Sequence, residues 1–332
     1  MTDVRGIKVG SAEDHGMRSG VTVILPDAPV VCAVDVRGGA PGTRETDLAD
    51  PTCLVDRVDA VVLAGGSAFG LDAASGVVDW LKAKGRGFRV DSAVVPIVPA
   101  AILFDLLNGG DKDWGHRTPY RALGAEACSD AAERFRLGNA GAGLGATVGH
   151  PAGTQIKGGL GSASFVIHCT SARPPITVAA LAAVNPVGSV LLPGSGVFWA
   201  WPFEQAGEFG ARRLEPGFVS PGIDDHFPGE VGGNTTLVVI ATDAALSKAE
   251  AKRVAIMAQD GIARAIRPAH TPFDGDTVFV LATGAYPLDG PASLARVGML
   301  AADATTRAIA RGVYEADDLD HIRSYRSLHP DR

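Results

Sequence analysis

Apolar and polar positions along the chain fall into short β-type runs divided by glycine- and proline-rich turns, with a few stretches of helical period. Val21–Leu25 and Val30–Val36 are β-branched runs separated by Pro26-Asp27-Ala28-Pro29, and predict a hairpin. The run Ala60–Ala64 predicts a buried strand entering Gly65-Gly66-Ser67-Ala68-Phe69-Gly70; the helix after it aligns Leu71, Ala74, Val78 and Leu81 and stops at Gly85. Further strands are expected at Ser164–Cys169, Val187–Leu192, Leu237–Ala241 and Thr277–Ala282, with a short Ala-rich segment and an Asn185-Pro186 turn before the second of them. Ser247 and Glu250 have capping-box spacing and open a helix that buries Val254, Ala255, Ala258, Ile262 and Ile266, and a last helix runs from about Pro291 through Ile309. From Trp199 to Gly233, four prolines (Pro202, Pro216, Pro221 and Pro228) forbid a long regular element. Strands and helices mix without strict alternation, so the pattern predicts layered sheets covered by helices and not a doubly wound parallel sheet.

Composition narrows the function classes. The 332 residues are 46% hydrophobic and 20% charged, as in a globular protein with ample core. A formal net charge of −7 argues against a nucleic-acid or anionic-membrane surface. Cys32, Cys53, Cys128 and Cys169 lie far apart, which suits reduced thiols better than a disulfide framework or zinc site. The N-terminus lacks an apolar signal core, and no apolar stretch reaches transmembrane length, so a cytoplasmic enzyme is expected.

The densest chemical signal is Gly232-Gly233-Asn234-Thr235-Thr236 before the apolar run Leu237–Ala241. A Thr hydroxyl at the mouth of a strand, approached through a Gly-rich segment, can attack the carbonyl of the residue before it and split the chain between Asn234 and Thr235. Hydrolysis of the resulting ester frees an N-terminal Thr235, whose α-amine, with a pKa of about 7.7–8.0, serves as base for its own hydroxyl. The same pentapeptide is also an ordinary turn-to-strand junction. Asp274-Gly275-Asp276 admits three readings: a solvated acidic turn, a divalent-metal site, or carboxylates that hold and polarise Thr235. The backbone amides of Gly65, Gly66 and Ser67 suit an anion or a tetrahedral oxyanion, although the loop lacks dinucleotide or Walker spacing and Ser67 reads equally as a helix cap.

Gly233–Asp243 and Ala265–Phe279, together with Gly38–Thr46, Gly65–Asp72 and Asn185-Pro186-Val187-Gly188, resemble the self-processing P1 peptidase family. This group holds L-aminopeptidase/D-esterases, β-aminopeptidases and nylon-oligomer hydrolases. The resemblance implies an αββα-type sandwich with mixed sheets, like that of N-terminal-nucleophile hydrolases. One catalytic domain, 1–332, would be cut into fragments 1–234 and 235–332 that stay associated. It assigns Thr235 as nucleophile, Asn185 to the acyl group or oxyanion pocket, and Asp274 and Asp276 to the Thr235 amine and hydroxyl. Two positions depart from some members: His150 stands where they carry a Lys, which leaves Lys157 as the alternative cation, and Phe104 stands where they carry a Tyr. Expected is hydrolysis of amide or ester bonds of small molecules or short peptides bearing a free amine, by a homo-oligomer, with no metal or organic cofactor. The alternatives are an acyltransferase of the glutamate/ornithine acetyltransferase type and a non-catalytic small-anion binder built on Gly65–Gly70.

Overall fold

The structure, a computed structural model, describes residues 1–149, 155–167, 174–220 and 234–330. Two sheets stack face to face. The five-stranded sheet has the order Ile7–Asp14, Ser19–Pro26, Val61–Ala64, Ala100–Ile102, Thr43–Arg44. The six-stranded sheet has the order Gly159–Ile167, Ile176–Asn185, Thr235–Ala245, Thr277–Pro287, Val30–Val36, Arg57–Val58. Helices Ala73–Ala83 and Tyr120–Asp130 cover the outer face of the first; Lys248–Ala265 and Pro291–Tyr314 cover the second. Each sheet mixes parallel and antiparallel pairs. This is the αββα sandwich that the sequence led one to expect.

The period of two along each strand builds three apolar layers. In the strand Thr235–Ala245, Leu237, Val239 and Ala241 lie between the sheets, whereas Val238 and Ile240 face the helices. Both sets are fully buried, and each large side chain contributes roughly 1.5–3 kcal/mol relative to exposure. The expected helix after Gly65–Gly70 begins as a 3-10 turn, Ser67–Asp72, and continues as Ala73–Ala83. At Lys248–Ala265 the capping box is formed, with Ser247 and Glu250 bonding each other's backbone amides.

The expected hairpin is corrected. Ser19–Pro26 pairs with Ile7–Asp14 and Val61–Ala64 in one sheet, while Val30–Val36 pairs with Thr277–Pro287 in the other, so Asp27–Pro29 carries the chain from sheet to sheet. Both runs are apolar on both faces, which leaves the choice of partner to the tertiary fold. The Ala-rich segment is a fully buried strand, Ile176–Asn185, whose small side chains let the second sheet and the helix Pro291–Tyr314 close on it. Val187–Leu192 forms isolated bridges at Ser189 and Leu191 in place of a strand. The helix Tyr120–Asp130 and the strand Ile7–Asp14 were not anticipated.

Candidate active site

Thr235 opens the central strand of the six-stranded sheet and is buried, with 3% exposure. By alternation its side chain shares the inter-sheet side with Leu237 and Val239. Its Oγ1 donates to the carbonyl oxygen of Asn234 at 2.5 Å, so the hydroxyl lies against the peptide that joins the two residues. The same carbonyl accepts the Gly275 amide at 2.8 Å. A donor already in place on that oxygen polarises the carbonyl and would hold negative charge if a nucleophile added to its carbon.

The glycine between the two carboxylates is required by space. A Cβ on Gly275 would stand 2.6 Å from Thr235 Oγ1 and 3.0 Å from the Ala40 carbonyl. The wall behind it is the Gly-rich loop after Val36: Arg37 and Gly38 donate to the Asp276 carbonyl, Gly39 to that of Thr271 and Ala40 to that of Asp274. Gly38 is pressed so close that a Cβ there would meet the Asp274 carbonyl oxygen at 2.2 Å. Two segments distant in sequence thus form one backbone wall.

Asp274 and Asp276 are 0% and 1% exposed, so neither is a solvated turn residue. Asp274 Oδ1 accepts from Val187 N at 3.1 Å, and its Oδ2 from the Thr271 amide at 3.0 Å and hydroxyl at 2.5 Å. Asp276 Oδ1 accepts from Thr236 N at 2.7 Å, while its Oδ2 takes the amide of His270 at 3.0 Å and lies 2.8 Å from its ring Nδ1. In the continuous chain the carboxylates therefore bind the elements around Thr235, and Asp276 grips the peptide that follows it. Burial, and then the neighbouring charge of Asp276, push the Asp274 carboxyl above the usual carboxylate range.

Asn185 stands directly opposite Thr235 in the antiparallel register, so the two side chains share one face. Its Oδ1 accepts from Thr147 N at 2.8 Å and its Nδ2 donates to the Phe104 carbonyl at 3.0 Å, which fixes the amide plane. Thr147 in turn pairs with Lys157 in a short ladder. The Lys157 ammonium is fully buried and donates to the carbonyls of Gly143, Ala146 and Gly158 at 2.7, 3.0 and 2.8 Å. Burial pushes this amine down to about 7, yet three acceptors take the three protons of an ammonium, one more than a neutral amine carries. We read the cage as built for the charged form, tying together the glycine cluster behind Asn185. His150 lies outside the described residues.

Gly65, Gly66 and Ser67 belong to the same side through a residue that the sequence did not single out. Asp105 follows Phe104, is 2% exposed, and accepts from Gly66 N at 2.7 Å and Ser19 Oγ at 2.6 Å. Tyr120 donates to Ser19 Oγ at 3.0 Å, and burial raises the Asp105 carboxyl above its ordinary range. Ser67 does not cap the helix with its side chain; it sits in the left-handed region at φ 52° and its amide bonds the Leu103 carbonyl. The local signal for Asp105 was an acid inside an apolar run, between Phe104 and Leu106. His270 and Gly275 carried no separate signal, because each acts through its neighbour in space.

Solved structures share this architecture. The L-aminopeptidase D-Ala-esterase/amidase of Ochrobactrum anthropi, described as a variant of the Ntn hydrolase fold, superposes with a TM-score of 0.68 at 22% identity, over 95% of this chain and 85% of that one. A β-aminopeptidase of Burkholderia sp. gives 0.67 at 22%, over 95% and 86%. An uncharacterized aminopeptidase of Mycobacterium tuberculosis is 45% identical over 354 residues, covering 99% of this chain and 98% of that protein. A 6-aminohexanoate-oligomer endohydrolase of Kocuria sp. is 30% identical over 91% of this chain and 80% of its own length. The model of peptidase family S58 matches residues 1–326, and the chain belongs to that family of aminopeptidase and amidase-type hydrolases.

Proposed function

We propose that the chain is the precursor of an N-terminal-threonine hydrolase, and that the observation carrying this reading is the Thr235 hydroxyl lying 2.5 Å from the Asn234 carbonyl oxygen while Gly275 N holds that oxygen. Attack of Oγ1 on the Asn234 carbonyl carbon gives a tetrahedral intermediate whose oxyanion meets the Gly275 amide. The C–N bond breaks, the nitrogen of Thr235 takes up a proton, and water hydrolyses the ester to leave the Asn234 carboxylate and a free Thr235. The fragments 1–234 and 235–332 stay together because the sheet order interleaves them. Strands Thr235–Ala245 and Thr277–Pro287 lie between Ile176–Asn185 and Val30–Val36.

In the mature site, Thr235 Oγ1 attacks an amide or ester carbonyl of a small, amine-bearing substrate. The Thr235 amine accepts the hydroxyl proton and passes it to the leaving group, after which water releases the acyl group. Asn185, opposite Thr235, presents the acyl pocket, and Asp274 and Asp276 fix the nucleophile. Wild type and Thr235→Ala are assayed on an amino-acid anilide. Turnover by the wild type alone is expected, and equal turnover by both removes Thr235 from the reaction.

A further inference from the structure

His270 stands outside the residues given a role so far, yet its geometry is specific. It occupies the left-handed backbone region at φ 56°, unfavourable for a residue bearing a Cβ unless its surroundings impose it. That conformation lets one residue present two donors to a single atom: its amide and ring Nδ1 lie 3.0 and 2.8 Å from Asp276 Oδ2. A carboxylate accepts only, so the proton of this contact sits on Nδ1. The other oxygen of Asp276 is thereby left aimed at Thr236 N, 2.7 Å away.

The consequence lies in what holds Thr235 once the chain is cut. Resting on the reading of Thr235 as the N-terminal nucleophile, we infer that His270 is a positioning residue that locks the Asp276 carboxylate on the Thr235–Thr236 peptide. A new N-terminus keeps one covalent tether, the peptide to Thr236, whose orientation sets where the Thr235 amine and hydroxyl point. Asp276 holds the N–H of that peptide, and His270 holds Asp276. The ring is 21% exposed and half-anchored, so the contact is adjustable by substitution without opening the core.

The test compares His270→Ala, His270→Asn and His270→Gly with wild type and Thr235→Ala, reading fragment formation by intact mass, kcat and KM on one anilide, and melting temperature. Asn tolerates the left-handed region and carries an amide donor near the position of Nδ1. Gly satisfies the backbone and supplies no side-chain donor. Expected is a loss in kcat of about 10²-fold for Ala, as for other small misplacements of reacting groups, with KM little changed, and restoration of most of that loss by Asn. An Ala variant with wild-type kcat overturns the inference, as does an Asn variant as slow as Ala. Should Ala fail to fold, a folded Gly variant with wild-type kcat overturns it and a slow one supports it. Activity in Thr235→Ala would instead sink the nucleophile reading itself, so the two failures are distinguishable.

Discussion

Two walls flank Thr235, and they are made differently. The wall toward Asp274–Asp276 is backbone against backbone: Gly38, Gly39 and Ala40 bond to Thr271–Asp276, and Gly275 touches the hydroxyl. The wall toward Asn185 is made of buried side chains, with Lys157 and Asp105 each satisfied chiefly by main-chain or hydroxyl groups. The first wall fails through volume, since no Cβ fits; the second fails through charge and unpaired polar groups. Close approach to the Thr235 hydroxyl is thus achieved with glycine, and rigidity behind its cross-strand neighbour with buried hydrogen bonds.

The largest effect separating them is expected at Lys157. Lys157→Met keeps the length of the side chain but takes the ammonium from three buried carbonyls; those of Gly143 and Ala146 keep a backbone donor, Ala146 N and Gly158 N, while the Gly158 carbonyl loses its ammonium partner at a cost of about 1–3 kcal/mol. Urea unfolding should show a loss of about 1–3 kcal/mol, and an unchanged midpoint would show that the cage is dispensable. At the other wall, Gly275→Ala sets a methyl 2.6 Å from Thr235 Oγ1. Chain cleavage should slow by about 10²-fold with far less loss of stability, and normal processing would mean that the Gly275 contact is not part of the site.

A smaller effect concerns Asp105, whose carboxyl is raised by burial. A raised acid binds its proton more tightly folded than unfolded, so it weakens the fold as pH rises from the ordinary carboxylate range through the raised value, and not below that range. The melting temperature of Asp105→Asn relative to wild type should therefore climb as pH rises through this window; parallel curves would contradict the shift. The smallest effect is expected beside Thr235. Thr236 Oγ1 is buried on the helix side with no hydrogen-bond partner among the described residues, so Thr236→Val should process normally and melt at or slightly above the wild-type temperature. Loss of processing in that variant would move the nucleophile one residue on.

The sequence was most legible where the signal is local. The capping box at Ser247 and Glu250, the strand after Thr235 and the final helix needed only short-range pattern. Partnering was not legible: Ser19–Pro26 and Val30–Val36 are adjacent and equally apolar, yet join different sheets. Local pattern marked Thr235, and only the family resemblance marked Asn185, fifty positions earlier; their facing register depends on strand pairing that no local pattern encodes. Asp105 was invisible because its meaning comes from Gly66, Ser19 and Tyr120, all remote in sequence. His270 was hidden by the need for a left-handed backbone to bring both its donors to one oxygen.

Cleavage of the Asn234–Thr235 bond remains the central claim, and intact-mass analysis of freshly purified protein, with N-terminal sequencing of whatever fragments it contains, tests it most directly. Two co-purifying fragments are expected, one ending at Asn234 and one beginning with a free Thr235. A single uncut chain that hydrolyses amine-bearing amides at full rate would contradict it.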